Sequence, residues 1–170
     1  MGEKKYVAYV GTYVHGSSKG LNVYDVDVEN GLLVERNEVE VSNSSYISVS
    51  RNLKYLYSIE DEGVAVFRRD VNGDLERLNS VDIEGMRGCF LSTDYTGKYL
   101  FVGGYHDGKV TMIEILPDGH LGKVLDGVFH RGLGSVAERN FRPHVNCVRP
   151  TRDNKYICAV DNGIDQVKLY

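Results

Sequence analysis

Residues 98–110 read KYLFVGGYHDGKV. A Lys-Tyr pair opens an apolar run, a glycine- and aspartate-bearing loop interrupts it, and a second apolar run starts at Val110. The stretch decides the fold because it recurs. Lys-Tyr stands at residues 5–6, 54–55, 98–99 and 155–156, at steps of 49, 44 and 57 residues. Each pair leads into an apolar run, a loop and a second run: Leu21 to Val28, Val64 to Phe67, Val110 to Leu116 and Val167 to Tyr170. In the first three repeats a turn follows (Asn30-Gly31, Asn72-Gly73, Asp118-Gly119), the chemistry of a tight hairpin, and then a charged segment. Short runs at Tyr46–Ser50, Cys89–Thr93 and Val145–Arg149 precede the last three Lys-Tyr pairs.

Four short strands in roughly 44 to 57 residues is the period of a β-propeller blade. We label the strands a to d from the channel outwards, with Lys-Tyr opening strand b. Strand b is apolar on both faces, as a strand packed between neighbouring blades must be. The d segment Leu33 to Val41 alternates Val39 and Val41 with Glu38 and Glu40, and charges on a rim strand discourage edge pairing. The sequence therefore predicts an all-β chain of four-stranded antiparallel blades. No a strand precedes Tyr6, and the last repeat stops in strand c. The expected inventory is fourteen strands in sheets of three, four, four and three, arranged as an arc. That makes three and a half blades, half of a seven-bladed ring. The expected divisions are residues 1–41, 42–83, 84–130 and 131–170.

Composition agrees and excludes several functions. The chain has 170 residues, room for one domain, with 19 glycines, 12 tyrosines and no tryptophan. Its net charge of −4 and lack of a basic stripe argue against a nucleic-acid partner. No apolar run approaches the roughly 18 residues of a membrane helix, so no membrane partner is expected. Met1 to Lys5 carries no signal-peptide apolar region. Three scattered cysteines fit a reducing compartment, and the expectation is a cytoplasmic protein. Cys147 and Cys158 sit on adjacent strands, where a reduced, packed pair outweighs a disulfide. No metal constellation and no cofactor motif emerges: Asp25, Asp27 and Glu29 read as a solvated strand face, and Asp70, Asn72 and Asp74 as a hairpin turn.

The motifs resemble those of the seven-bladed lactonase propellers, which include bacterial propeller-type 6-phosphogluconolactonases and fungal carboxy-muconate cyclases. Tyr9-Val10-Gly11-Thr12-Tyr13 followed by Ser18-Lys19-Gly20 is similar to their N-terminal signature. Lys98 to Gly108 resembles their second-blade motif. Arg142-Pro143-His144 and Asn154 to Tyr170 (NKYICAVDNGIDQVKLY) resemble their third. The a–b turns depart: the family's common Ser-Pro-Asp-Gly is here Ser50-Arg51-Asn52-Leu53 or Thr93-Asp94-Tyr95-Thr96.

Topology places the chemistry. Strands alternate in direction, so d–a and b–c connections share one face of a propeller. That face receives His15, Lys19, Glu60, Asp61, Arg87, His106, Asp107, Arg139, Arg142, His144, Asp161 and Asp165. The longest connection, Gly132 to Pro143, delivers His144 to the channel mouth, and long loops are more often functional. His144 is the candidate general acid/base, because imidazole titrates near neutrality, and the alternative is a channel-lining histidine. The resemblance adds that the matching family histidine is a proposed active-site residue, with arginine and glutamate partners in the blade after those present. Arg142 and Arg139 are candidate oxyanion binders, since guanidinium forks match carboxylates and phosphates. His106 and His15 extend the candidate pocket, and Asp107 reads as a turn-stabilising aspartate. The resemblance implies a lactone hydrolase attacking a small anionic sugar lactone with water; a half ring lacks part of the wall of such a pocket, so the chain alone is expected to be inactive. The alternatives are a carboxy-muconate-type lactonizing cyclase and a non-catalytic propeller used as a binding platform. Apolar flanks on the terminal blades imply self-association.

Overall fold

The computed structural model describes residues 6–135 and 141–170. These form fourteen strands and no helix. In chain order they are β1 (Tyr6–Gly11), β2 (Gly20–Asp27), β3 (Leu32–Glu40), β4 (Ile47–Val49), β5 (Tyr55–Ile59), β6 (Gly63–Arg69), β7 (Leu75–Asp82), β8 (Phe90–Thr93), β9 (Tyr99–Gly103), β10 (Lys109–Ile115), β11 (Leu121–Phe129), β12 (Val145–Pro150), β13 (Ile157–Asp161) and β14 (Gln166–Leu169). They make four antiparallel meanders: β1-β2-β3, β4-β5-β6-β7, β8-β9-β10-β11 and β12-β13-β14. The first sheet lacks an innermost strand and the last an outermost one.

The period of two along each b strand splits its side chains between neighbouring blades. In β5, Leu56 joins Leu21, Val41, Ala65 and Phe67 in the layer between the first two sheets. Tyr57 and Ile59 point the other way and meet Leu91, Leu100, Val102, Ile113 and Leu121 of the third sheet. In β9, Phe101 turns towards Val145, Val148 and Ala159 of the fourth sheet. The core is thus three interblade layers, each built from alternate residues of sequence-adjacent sheets. On β3, at the outer flank, Leu32, Leu33 and Val34 are each more than half exposed.

Tyrosines stitch the hairpin turns to the preceding blade. The Tyr9 hydroxyl donates to the Gly73 carbonyl at 2.5 Å, and the Tyr55 hydroxyl to the Asp118 carbonyl at 3.0 Å. Gly119 has φ +93°, and a Cβ there would lie 2.1 Å from the Tyr55 ring. The Asn/Asp-Gly turns therefore supply both a left-handed backbone and a docking surface for an aromatic ring. Asp70 caps its turn by accepting from the backbone N–H groups of Asn72 and Asp74.

Two details differ from the sequence reading. Cys147 pairs across the ladder with Val160, and Cys158 with Arg149. The two cysteines are not opposite each other, and all three thiols are free. The last b strand starts at Ile157, after Tyr156, whose N–H donates to Thr151 Oγ1 at 3.2 Å.

Candidate active site

The connections at one end of the arc are tied to one another by their own side chains. Val14 N–H donates to Asn43 Oδ1, and the Asn43 amide donates to Asp61. Arg87 pairs with Asp61 at 2.9 Å and lies over the Tyr13 ring. Asp107 accepts from Met86 N–H through Oδ2 and from Lys109 N–H through Oδ1, the turn role expected of it. In the second and third sheets, then, an aspartate of the b–c loop clamps the d–a connection leading into its own sheet.

In the last sheet the same device holds His144. Asp161, at the end of β13, accepts from His144 N–H at 2.7 Å and Gly163 N–H at 3.0 Å through Oδ1. Its Oδ2 accepts from His130 Nδ1 at 2.7 Å, and both side chains of this pair are fully buried. Burial holds the His130 pKa below the usual histidine value and outweighs the opposing pull of the Asp161 hydrogen bond, while Lys168 lowers it further. His130 is accordingly neutral with its proton on Nδ1, and its buried Nε2 meets no hydrogen-bond partner among the described residues.

The His144 ring, almost wholly buried, is fixed from three sides. Nδ1 donates to the Tyr105 carbonyl at 2.6 Å, since a carbonyl only accepts. The Tyr105 ring stacks on the imidazole at 4.3 Å and 16°, and Phe141 meets it edge-on at 6.5 Å. Gly163 passes so close that a Cβ there would lie 2.0 Å from the Arg142 carbonyl oxygen and 2.8 Å from His144 Cδ2. Nδ1 being committed, Nε2 is the nitrogen that can take a proton.

The other sequence candidates divide. His106 shares the Tyr105 ring with His144, meeting it edge-on at 5.7 Å. Arg142 is exposed beside Phe141, its guanidinium 5.5 Å from the ring centre, and pairs with no carboxylate among the described residues. His15 is exposed in the β1–β2 loop, and no hydrogen bond or ring contact joins it to His144. Arg139 lies outside the described residues. Cys89 donates to the Val145 carbonyl, and burial pushes its thiol up to about 11, which disqualifies it as a nucleophile. Among the described residues no cluster of His, Cys, Asp or Glu could hold a metal. No helix among them is long and apolar enough to cross a membrane.

Sequence reading missed Tyr105 and His130 as supports and placed Asp161 only on the correct face. A signal was present: Asp61, Asp107 and Asp161 each follow the lysine of their Lys-Tyr pair by six to nine residues.

A family model described as "Lactonase, 7-bladed beta-propeller" matches residues 7–170. The chain belongs to that family. It is 35% identical over 172 residues to the 6-phosphogluconolactonase of Bacillus subtilis, covering 98% of this chain and 49% of that protein. A Bacteroides fragilis crystal structure of a candidate 6-phosphogluconolactonase superposes with a TM-score of 0.89 at 34% identity, over 97% of this chain and 48% of that one. A periplasmic gluconolactonase of Pseudomonas aeruginosa gives 0.89 at 28% identity, over 98% and 49%. The lactonase-family chain spans about half the length of the curated relatives it matches.

Proposed function

We propose that the chain contributes the His144 half of a sugar-lactone hydrolase resembling 6-phosphogluconolactonase. One observation carries the reading: in a member of the lactonase family, His144 is held with Nδ1 donated to a carbonyl, leaving Nε2 as a base at the end of the innermost strand. Nε2 would take a proton from water as the water oxygen bonds to the lactone carbonyl carbon. The oxyanion formed would be stabilised by guanidinium groups, Arg142 among them. Collapse of the adduct breaks the ring C–O bond, and the imidazolium returns its proton to the leaving alkoxide, giving the open hydroxy acid. Arg139 and His106 are assigned to binding the anionic end of the substrate, and His15 to the rim of the same face.

The whole protein is taken to be a closed seven-bladed ring. Relatives about twice this length support that. The exposed flanks of the terminal sheets are then the surfaces that the other half covers, and self-association is their fate without it. Unpaired cysteines support a cytoplasmic location, against the periplasmic example among the relatives. The test is turnover of 6-phosphogluconolactone by the full-length protein, beside a carboxylated muconolactone as the cyclase substrate. Hydrolysis of the first supports the reading, turnover of only the second assigns a cyclase, and turnover of neither leaves a binding platform.

A further inference from the structure

The repeat that reveals the fold also puts a cation at the same place in the second, third and fourth sheets, and the chemistry around His144 makes no use of it. Lys54, Lys98 and Lys155 open strands b and sit, all exposed, in the a–b turns at the end of the arc opposite His144. Arg51 and Arg152 are exposed in the same turns, and Arg149 is exposed near the end of β12. Among the described residues none of these six lies within 4.0 Å of a carboxylate. The two aspartates in these turns are otherwise engaged. Asp94 accepts from Thr96, Lys98, Tyr99 and Asn154, and Asp153 from Thr151 and Lys155. The acidic residues at the same end, Asp27, Asp70, Asp74 and Asp118, belong to the outer c–d hairpins, so these cations gather at the inner, a–b side.

At its centre the three innermost strands line an open pocket of about 270 Å³. Arg51 and Arg149 line it together with Ser48 of β4 and Ser92 and Thr93 of β8. Both arginines rest on aromatic rings, Arg51 on Tyr95 at 3.8 Å and Arg149 on Phe90 at 5.4 Å. Stacking on a ring leaves the edge N–H groups of a guanidinium free to bind. Ser92 spends its proton on the Val148 carbonyl, whereas the Ser48 and Thr93 hydroxyls have no partner among the described residues.

We propose that this pocket is a second anion site, which takes a small phosphate-bearing ligand between Arg51 and Arg149. Guanidinium forks and hydroxyl donors are what a phosphate dianion requires, and the volume suits a free phosphate or a short phosphate monoester. It is separate from the His144 site: none of the residues lining it touches His144, and five steps along β12 at about 3.3 Å each put the Arg149 backbone about 16 Å from that of His144.

The test is calorimetric titration of the chain with inorganic phosphate and with glucose 6-phosphate, at constant ionic strength set with chloride. Saturable binding is expected, weakened at least tenfold by Arg51→Ala or Arg149→Ala, partly kept by Arg149→Lys and unchanged by His144→Ala. Tighter binding of the sugar phosphate assigns the site to phosphate monoesters, the reverse order to free phosphate, and either supports it. A second measurement needs no variant: phosphate should slow phenylglyoxal modification of Arg51 and Arg149. Absence of saturable binding, indifference to Arg149→Ala or absence of protection would overturn the proposal. Because His144→Ala is silent here, loss of this site and loss of lactone hydrolysis are read separately.

Discussion

The Tyr55 hydroxyl donates to the carbonyl of Asp118, 63 residues further along the chain and in the next sheet. With the Tyr9–Gly73 contact one blade earlier, it shows how a hairpin turn of one blade is fastened to strand b of its neighbour. The bond is solvent-exposed, so Tyr55→Phe should cost about 1 kcal/mol, or about 2–4 °C in Tm for a chain of this size. Gly119→Ala places a methyl group against that ring at a positive φ and should cost more, about 2–4 kcal/mol. Thermal melts of the two variants give the comparison; equal melting points would mean that the turn does not dock.

Buried His130 sets a pH dependence of stability. Its folded pKa lies below the unfolded value of about 6.5, so below that pH the unfolded chain binds more protons than the folded one. The stabilisation is complete above about pH 6.5 and is lost progressively as the pH falls beneath it. His130→Asn keeps a donor for Asp161 and removes the titration. Denaturant midpoints of the parent chain should fall between pH 6.5 and 5 more steeply than those of the variant, and parallel curves would exclude His130 as the cause.

Asp94 is the buried aspartate of an a–b turn. Burial pushes its pKa up, but hydrogen bonds from Thr96, Tyr99 and Asn154 together outweigh this and lower it. Its stabilisation is therefore full above the unfolded pKa of about 3.9 and is lost as the pH drops through the lower folded value. Asp94→Ala would strand the backbone N–H groups of Thr96, Lys98 and Tyr99 and should cost about 3 kcal/mol at neutral pH. Urea denaturation measures it, and a change below about 0.5 kcal/mol would show that the turn finds other partners.

The outer flanks predict association. Val167 and Leu169 on β14 are 67% and 58% exposed, matching the exposure of Leu32 to Val34 on β3. Covering one such side chain is worth about 1.5–3 kcal/mol. Sedimentation of the chain alone should show self-association, and co-expression with the remaining half of the ring should give a one-to-one complex. A monodisperse monomer that ignores the other half would contradict this.

How far the sequence could be read follows from the range of the interactions. Lys-Tyr pairs, Asn/Asp-Gly turns and alternating apolar residues are local signals, and they sufficed for strand order and sheet size. His144 stands out in the sequence as a candidate because a long connection leads to it. The contacts that orient it were not: Tyr105 lies 39 residues away, and His130 meets Asp161 across 31 residues, between sheets. Cys147 and Cys158 show a subtler loss: the ladder sets Val160 and Arg149 opposite them, and no pattern of residue types announces that register.

The central claim is that His144, fixed by Tyr105 and Asp161, is the base of a lactone hydrolase whose pocket needs the whole ring. The direct measurement is 6-phosphogluconolactone hydrolysis above the spontaneous rate by the 170-residue chain alone, by the chain with its complementary half, and by the complex carrying His144→Ala. The account predicts no enhancement for the chain alone, turnover when the halves are joined, and a loss of at least a hundredfold on His144→Ala. Robust His144-dependent turnover by the monomeric chain, or a joined ring indifferent to His144→Ala, would contradict it.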